Sequence, residues 1–543
     1  MKRENILLWG LAAASGLLMS VPYLVPHTGF LALIGLIPLL CMERIATIQA
    51  KKHVWMYHYF SFVLWNTITT FWVCNATVGG GIFAILANSF QMSVVFGLFR
   101  WSRRRFKGAL PYIFLMTAWI AWERFYFDAE ISWPWLVLGN AFARSTGAIQ
   151  WYEFTGTLGG SLWIWASNLS LFGILVSLSD GSWHRFNSKA KAAAISGCIL
   201  LLSFPPAASL MIGAGYRDAM NEGEKLECLV IQPNIDPYNK FEFLRQSQQN
   251  DILLSLAEKE LERRDTSGSP LLIVAPETFT NDITVGHFEK SRTWNRFTSF
   301  LKDYPDVNLL FGASSYEYIQ SGIRPSHTAR KISDALWYES HNSALMTDGT
   351  ARTEIFHKSK LVVAVEKTPY PALFCKIDDM LGGVMGRCIG QDQISLLNVQ
   401  YTAQDSTIRR IPVGCAVCYE SVYGEYYTDY IRNGAQLMTI ITNDAWWGNT
   451  PGYRQHLSYA SLRAIETRRA IARCANTGIS AIISPSGEIT EMTSWWTPAT
   501  LKGQLPLRDD ITFFVAHGDI TGRICTFLFL MLLLALAVRF RAS

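Results

Sequence analysis

Ile411–Glu425 reads IPVGCAVCYESVYGE. An apolar run from Ile411 to Val417, rich in β-branched residues, ends at Cys418 and is followed at once by Tyr419, Glu420 and, shortly after, Gly424. Such a run predicts a short buried strand, and a thiol at its end, before a tight turn, stands at the rim of a sheet rather than inside it. Open α/β sheets keep their chemistry at that rim. A thiol attacks only as thiolate, so a nucleophilic reading of Cys418 requires a base and a cation close by. Two other stretches offer them: Glu277 closes LLIVAPE and Lys358 sits in IFHKSKLVV.

At 543 residues the chain is too long for one ordinary core, so more than one domain is expected. Only 17% of residues are charged and 19 are Trp, against about 25% charged in an average soluble chain, which points to membrane embedding. A net charge of +5 is unremarkable at this length and predicts no nucleic-acid partner. Cys415 and Cys418 form a C-x-x-C, but there is no second such pair and no histidine cluster nearby, so no metal is expected. In a strand those two thiols point to opposite faces, which argues against a disulfide between them. Pairing of Cys375 with Cys388 is left open.

Residues 1–210 are largely a series of apolar runs, read as seven spans near 6–22, 29–43, 54–74, 82–99, 109–122, 161–178 and 192–209, and an eighth follows at 524–538. The first two are short and separated by Val21–Pro26, which leaves a helical hairpin as the alternative there. Loop charge orients the series, because short cytoplasmic loops collect Lys and Arg. Arg44, Lys51 and Lys52, then the cluster Arg100–Lys107, then Arg185, Lys189 and Lys191 all fall on the side of Lys2 and Arg3, while the connections at 23–28 and 75–81 carry none. About eight spans with both termini cytoplasmic are therefore expected, with residues 211–520 across the membrane, in the periplasm of a bacterial inner membrane. The connection 125–160 is aromatic and weakly charged, which suits a segment lying at the interface.

From Glu222 the pattern changes to short β-like runs alternating with helical ones, predicting an α/β layered domain over 222–510 before the last span and tail at 520–543. Strands are expected at 226–232, 271–275, 307–312, 342–346, 354–356, 411–418, 437–442 and 479–484, and helices near 241–264 and 291–303. Tyr453–Ala475 reads as one amphipathic helix, with Leu457, Leu462, Ile465 and Ile471 at helical spacing among Arg463, Glu466, Arg468, Arg469 and Arg473.

Taken singly, Glu277 reads as a capping or ion-paired carboxylate and Lys358 as a solvent lysine. Glu, Lys and Cys in this order, with their flanks, resemble the carbon–nitrogen hydrolase (nitrilase) superfamily. The N-terminal bundle and single last span resemble its apolipoprotein N-acyltransferase branch over nearly the whole chain. SWPWLVLGN, IQPNIDPYNKF, HNSAL around Asn342, KLVVAVEK, CYESVYGE and TNDAWWGNTPGYRQHL carry the likeness.

The resemblance implies a polytopic helical membrane bundle joined to a nitrilase-like α-β-β-α sandwich. It gives Glu277 the role of base, Lys358 that of oxyanion stabiliser and Cys418 that of nucleophile, with Glu366, Tyr419 and Glu420 as supporting residues. Phe241, Asn342, Trp446 and Trp447 become substrate-binding candidates, Phe241 standing where some members place a tryptophan on a mobile arm. The partners implied are a phospholipid acyl donor, a diacylated apolipoprotein acceptor and the membrane, with no cofactor. A membrane-tethered amidase releasing product to water is the alternative. The stretch after the lysine departs from the family, because Leu361–Glu366 lacks the usual proline and glycine.

Overall fold

The computed structural model describes residues 2–541 apart from 217, 222, 238–239, 241–242, 265–268, 381–384 and 404. Phe241 and the boundary residue Glu222 lie outside the described residues. The chain divides into two compact units, one of residues 1–215, 450–462 and 517–543, the other of 216–449 and 463–516.

The first unit is helical. Each expected span corresponds to helix, and among the described residues six helices are long and apolar enough to cross a membrane: Glu4–Leu24, Gly29–Ile48, Val78–Ser102, Tyr152–Ser179, Ser188–Gly215 and Ile520–Phe540. The other two expected spans fall on Trp55–Thr70, of 16 residues, and Leu110–Asp128, whose last turns carry Glu123, Arg124 and Asp128. At 1.5 Å per residue, 16 residues reach about 24 Å, short of a hydrocarbon core of about 30 Å. The 125–160 connection holds three short 3-10 turns, Pro134–Leu136, Leu138–Phe142 and Thr146–Ala148. Gln455 fastens this loop within the unit. Its Oε1 accepts from the indoles of Trp135 at 2.8 Å and Trp72 at 3.2 Å, and its Nε2 donates to the carbonyl of Thr69.

The second unit is built on two sheets. Its strands are β1 (Lys225–Gln232), β2 (Leu271–Val274), β3 (Thr280–Thr284), β4 (Val307–Gln320), β5 (Arg330–Ser333), β6 (Leu336–Asp348) and β7 (Thr353–His357), then β8 (Leu397–Thr402), β9 (Ile408–Val417), β10 (Leu437–Thr442), β11 (Ile471–Ala475), β12 (Ala481–Ile483), β13 (Ile489–Met492) and β14 (Ala499–Pro506). The first sheet runs β14-β1-β2-β4-β6-β5, with β3 beside β4 and β7 beside β6; the second runs β13-β12-β11-β10-β9-β8. Alternation sets the layers. Leu229 and Ile231 of β1, Ile273 of β2 and Phe311 of β4 pack beneath the helices Gln246–Leu261 and Arg292–Leu301. The other face meets the second sheet, where the Cys474 thiol of β11 reaches the Ile231 carbonyl at 3.2 Å. Full burial of side chains such as Phe311 and Leu229 stabilises the unit by about 1.5–3 kcal/mol each. None of the ten cysteines is joined in a disulfide.

The expected helix 453–475 is corrected. The helix is Pro451–Thr467, Arg468 turns to φ 51°, and Ile471–Ala475 is the buried strand β11, parallel to β10. Helical spacing of apolar residues cannot distinguish a helix from a helix followed by a buried strand.

Candidate active site

Parallel pairing sends the ends of β2, β9 and β10 toward one edge of their sheets, and β7, antiparallel to β6 and so parallel to β4, ends likewise. Each end delivers one group. Glu277 follows β2, Lys358 follows β7, Cys418 follows β9, and Asn443 follows β10.

Lys358 is 1% exposed, and its Nζ lies 2.9 Å from Glu366 Oε1 and 3.3 Å from Glu277 Oε1. Asn342 of β6 closes the group. Its Nδ2 donates to Glu277 Oε1 at 2.8 Å and to Glu366 Oε1 at 2.7 Å, and its carbonyl accepts from the Lys358 N–H. Two N–H bonds and one ammonium thus hold two like charges together, which would otherwise repel. Glu277 Oε2 accepts from the Asn443 N–H at 3.1 Å and Glu366 Oε2 from the Val362 N–H at 2.7 Å, so both carboxylates are fixed at both oxygens. Burial works to discharge Lys358, but Glu366, Glu277 and Cys418 outweigh it and hold the ammonium charged well above its usual range.

Cys418 begins a short 3-10 turn, Cys418–Val422, at φ 53°. A left-handed conformation costs a non-glycine residue about 1–2 kcal/mol and is kept where the surroundings hold it. Burial pushes the thiol well above its ordinary pKa, Glu277 adds to this, and Lys358 opposes it. At rest the sulfur therefore keeps its proton, and a base must take it.

Glu420 is fully buried. Its Oε1 accepts from the N–H of Ser359 at 2.7 Å and of Lys360 at 3.2 Å and from Tyr426 Oη at 2.7 Å; its Oε2 accepts from the Val417 N–H at 2.8 Å. It ties the loop carrying Lys358 to the strand end carrying Cys418. Tyr419 is buried edge-on against Tyr423, ring centroids 5.2 Å apart. Trp446 and Trp447 lie on the turn Asp444–Trp447, the first exposed and the second half-buried. Neither is a partner of Glu277, Lys358, Glu366 or Asn342 among the described residues.

Sequence reasoning gave no role to Lys240, Thr442, Asn443 or Asp444, although the quoted motifs contain them. Lys240 is buried, its Nζ donates to the Thr278 carbonyl, and burial pulls its pKa down to about 8 against the opposing pull of Glu277. Thr278 itself sits at φ 45°, so Lys240 grips a strained peptide next to the candidate base. No pattern around Asn443 could reveal that its backbone N–H, rather than its side chain, meets Glu277.

Residues 319–510 match the family model for carbon–nitrogen hydrolases, and residues 15–170 match that for the apolipoprotein N-acyltransferase N-terminal domain. Among curated proteins the chain is similar to the apolipoprotein N-acyltransferase of Chlorobaculum tepidum, 28% identical over 97% of this chain and 96% of that one. It is also similar to that of Geobacter metallireducens, at 25% identity over 95% and 92%. A solved structure, Nit3 of Saccharomyces cerevisiae from branch 10 of the nitrilase superfamily, aligns with 55% of this chain and 97% of its own at 12% identity and a TM-score of 0.37.

A two-sheet domain with Glu, Lys and Cys at its strand ends, on a chain that also carries a set of long apolar helices, defines a membrane-bound member of the carbon–nitrogen hydrolase superfamily. Within that class, the chain belongs to the apolipoprotein N-acyltransferase family.

Proposed function

We propose that this chain moves an acyl group from a phospholipid to the α-amino group of the diacylglyceryl-modified N-terminal cysteine of apolipoproteins, through a thioester on Cys418. One observation carries the reading. A buried ammonium, Lys358, is clamped between two carboxylates beside a thiol held at a strand end.

Glu277 takes the Cys418 proton as the sulfur attacks the ester carbonyl, and Lys358 stabilises the oxyanion that develops. The C–O bond breaks, Glu277 returns the proton to the departing lysophospholipid, and a thioester remains. The lipoprotein amine then attacks the thioester carbon and gives a proton to Glu277. The C–S bond breaks, an amide is left, and the thiol regains the proton. Glu366 and Asn342 hold Lys358 and Glu277 in register through both halves. Among the substrate-binding candidates, Trp446 and Trp447 line the approach of the acyl chains, and Phe241 is assigned there on resemblance alone.

Both substrates are lipids anchored in a membrane, which gives the long apolar helices their purpose. We assign residues 1–210 and 520–543 to the membrane and 222–510 to the periplasm of a bacterial inner membrane, with both termini cytoplasmic. The segregation of Lys and Arg to alternate loops supports this orientation.

The test is where the acyl group goes. Purified protein given acyl-labelled phospholipid and a synthetic diacylated lipopeptide should yield labelled triacylated peptide. Free labelled fatty acid as the sole product would make the chain a hydrolase.

A further inference from the structure

Arg473 and Asp444 form an ion pair with neither side chain exposed, Nη2 to Oδ2 at 2.6 Å. A guanidinium in the middle of a buried strand carries a large desolvation cost, so the pair has to hold something in place to justify its position. What it holds is the turn after β10. Asp444 Oδ1 accepts from the Thr442 hydroxyl at 2.7 Å, and Arg473 also donates to the Ile479 carbonyl, which fixes the guanidinium at its other side. Gly478 packs against the same carboxylate, since a Cβ there would lie 2.9 Å from Asp444 Oδ2.

Two residues at this end of β10, Thr442 and Asn443, meet the reacting groups. The Asn443 N–H is on Glu277, and the Thr442 hydroxyl works to lower the pKa of the Cys418 thiol. In the sheet Val417 pairs with Ile441, which sets Cys418 and Thr442 side by side at the two strand ends.

We propose that the Arg473–Asp444 pair, acting through the turn Thr442–Asp444, is a positioning device that sets the Cys418 thiol and the Glu277 carboxylate in register for proton transfer. This deepens the acyl-transfer reading and rests on it. Neither charged side chain is exposed. Their contribution is to the rate of thioester formation, because a misplacement of about 1 Å in a proton-transfer geometry can cost about 100-fold in rate without weakening binding.

The experiment is single-turnover labelling of the full-length protein in detergent with acyl-labelled phospholipid, giving the rate of thioester formation and the phospholipid concentration at half-saturation. Asp444→Asn keeps the shape of the side chain and removes its charge, and Thr442→Val removes the hydroxyl that donates to that carboxylate at the strand end beside Cys418. Each should slow thioester formation about 10- to 100-fold with half-saturation unchanged within about twofold. Thr442→Ser, which restores the hydroxyl, should return the rate to within about threefold of wild type.

Arg473→Met strands a buried carboxylate and Asp444→Asn a buried guanidinium, and both disturb folding as well, so the decision rests on the two Thr442 variants, each checked for an unchanged melting temperature. Folded variants that form thioester as fast as wild type overturn the inference. So does a loss expressed in half-saturation alone, or a Thr442→Ser variant as slow as Thr442→Val. Absence of label in wild type overturns the acyl-transfer reading and this inference with it, whereas label in wild type with unaffected variants overturns this inference alone.

Discussion

At the scale of single residues, Glu420 separates holding from reacting. It lies one residue from Tyr419 and two from Cys418, yet its carboxylate is spent on backbone N–H groups and tyrosine hydroxyls. Burial raises its pKa, while the Val417 N–H, Tyr426 and the Ser359 N–H draw it back. Glu420→Ala should therefore leave several buried donors unpaired, lowering thioester formation about 100-fold and destabilising the fold by about 2–4 kcal/mol. Labelling of Cys418 and denaturant melting check the two effects. His357, adjacent to Lys358, gives a pH prediction. Burial, with a smaller push from the stacked His341, lowers its pKa to about 4. A histidine with a depressed folded pKa contributes stability above its unfolded value near 6.5 that is lost as pH falls toward 4. The melting temperature should drop by about 2–4 °C more over that range in wild type than in His357→Asn.

At the scale of elements, the position of Glu277 depends on a glycine in the neighbouring strand. A Cβ on Gly312 of β4 would lie 2.6 Å from Glu277 Cα and from Thr278 N. Gly312→Ala should push the peptide after β2 out of place and lower thioester formation at least about 100-fold, with the protein still folded. Labelling at saturating phospholipid checks this. Strands such as β1, β2 and β10 were legible because apolar, β-branched runs bounded by polar residues announce buried strands, and Cys418 was legible because its run stops abruptly. Glu277 and Lys358 were legible as a pair only through resemblance. No local signal joins residues 81 positions apart. The helix Pro451–Thr467 and β11 were misread together because Arg463, Arg468, Arg469 and Arg473, which pattern alone sends to solvent, are all buried. Three have distant partners, Asp444 for Arg473, the Ala435 carbonyl for Arg469 and the Pro485 carbonyl for Arg468, while Arg463 meets both the distant Val422 carbonyl and its near neighbour Glu466. A one-dimensional pattern has no access to a charge that tertiary structure neutralises.

At the scale of the whole molecule, the chain combines a hydrolase-like domain with long apolar helices, and the proposed orientation puts the domain and both termini on opposite sides of a membrane. Alkaline phosphatase fused after residue 541 should be inactive in cells, and the same reporter placed in the exposed segment 321–328 should be active; the reverse pattern would contradict the orientation. The central claim is that the acyl group passes through this one chain as a thioester. Its most direct measurement is the label on Cys418 after incubation of the purified protein with acyl-labelled phospholipid and no acceptor. The account predicts one hydroxylamine-sensitive acyl group per chain on Cys418, absent from Cys418→Ala and discharged by a diacylated lipopeptide. Label that is absent from wild type, that resides on another residue, or that the lipopeptide does not discharge would contradict it.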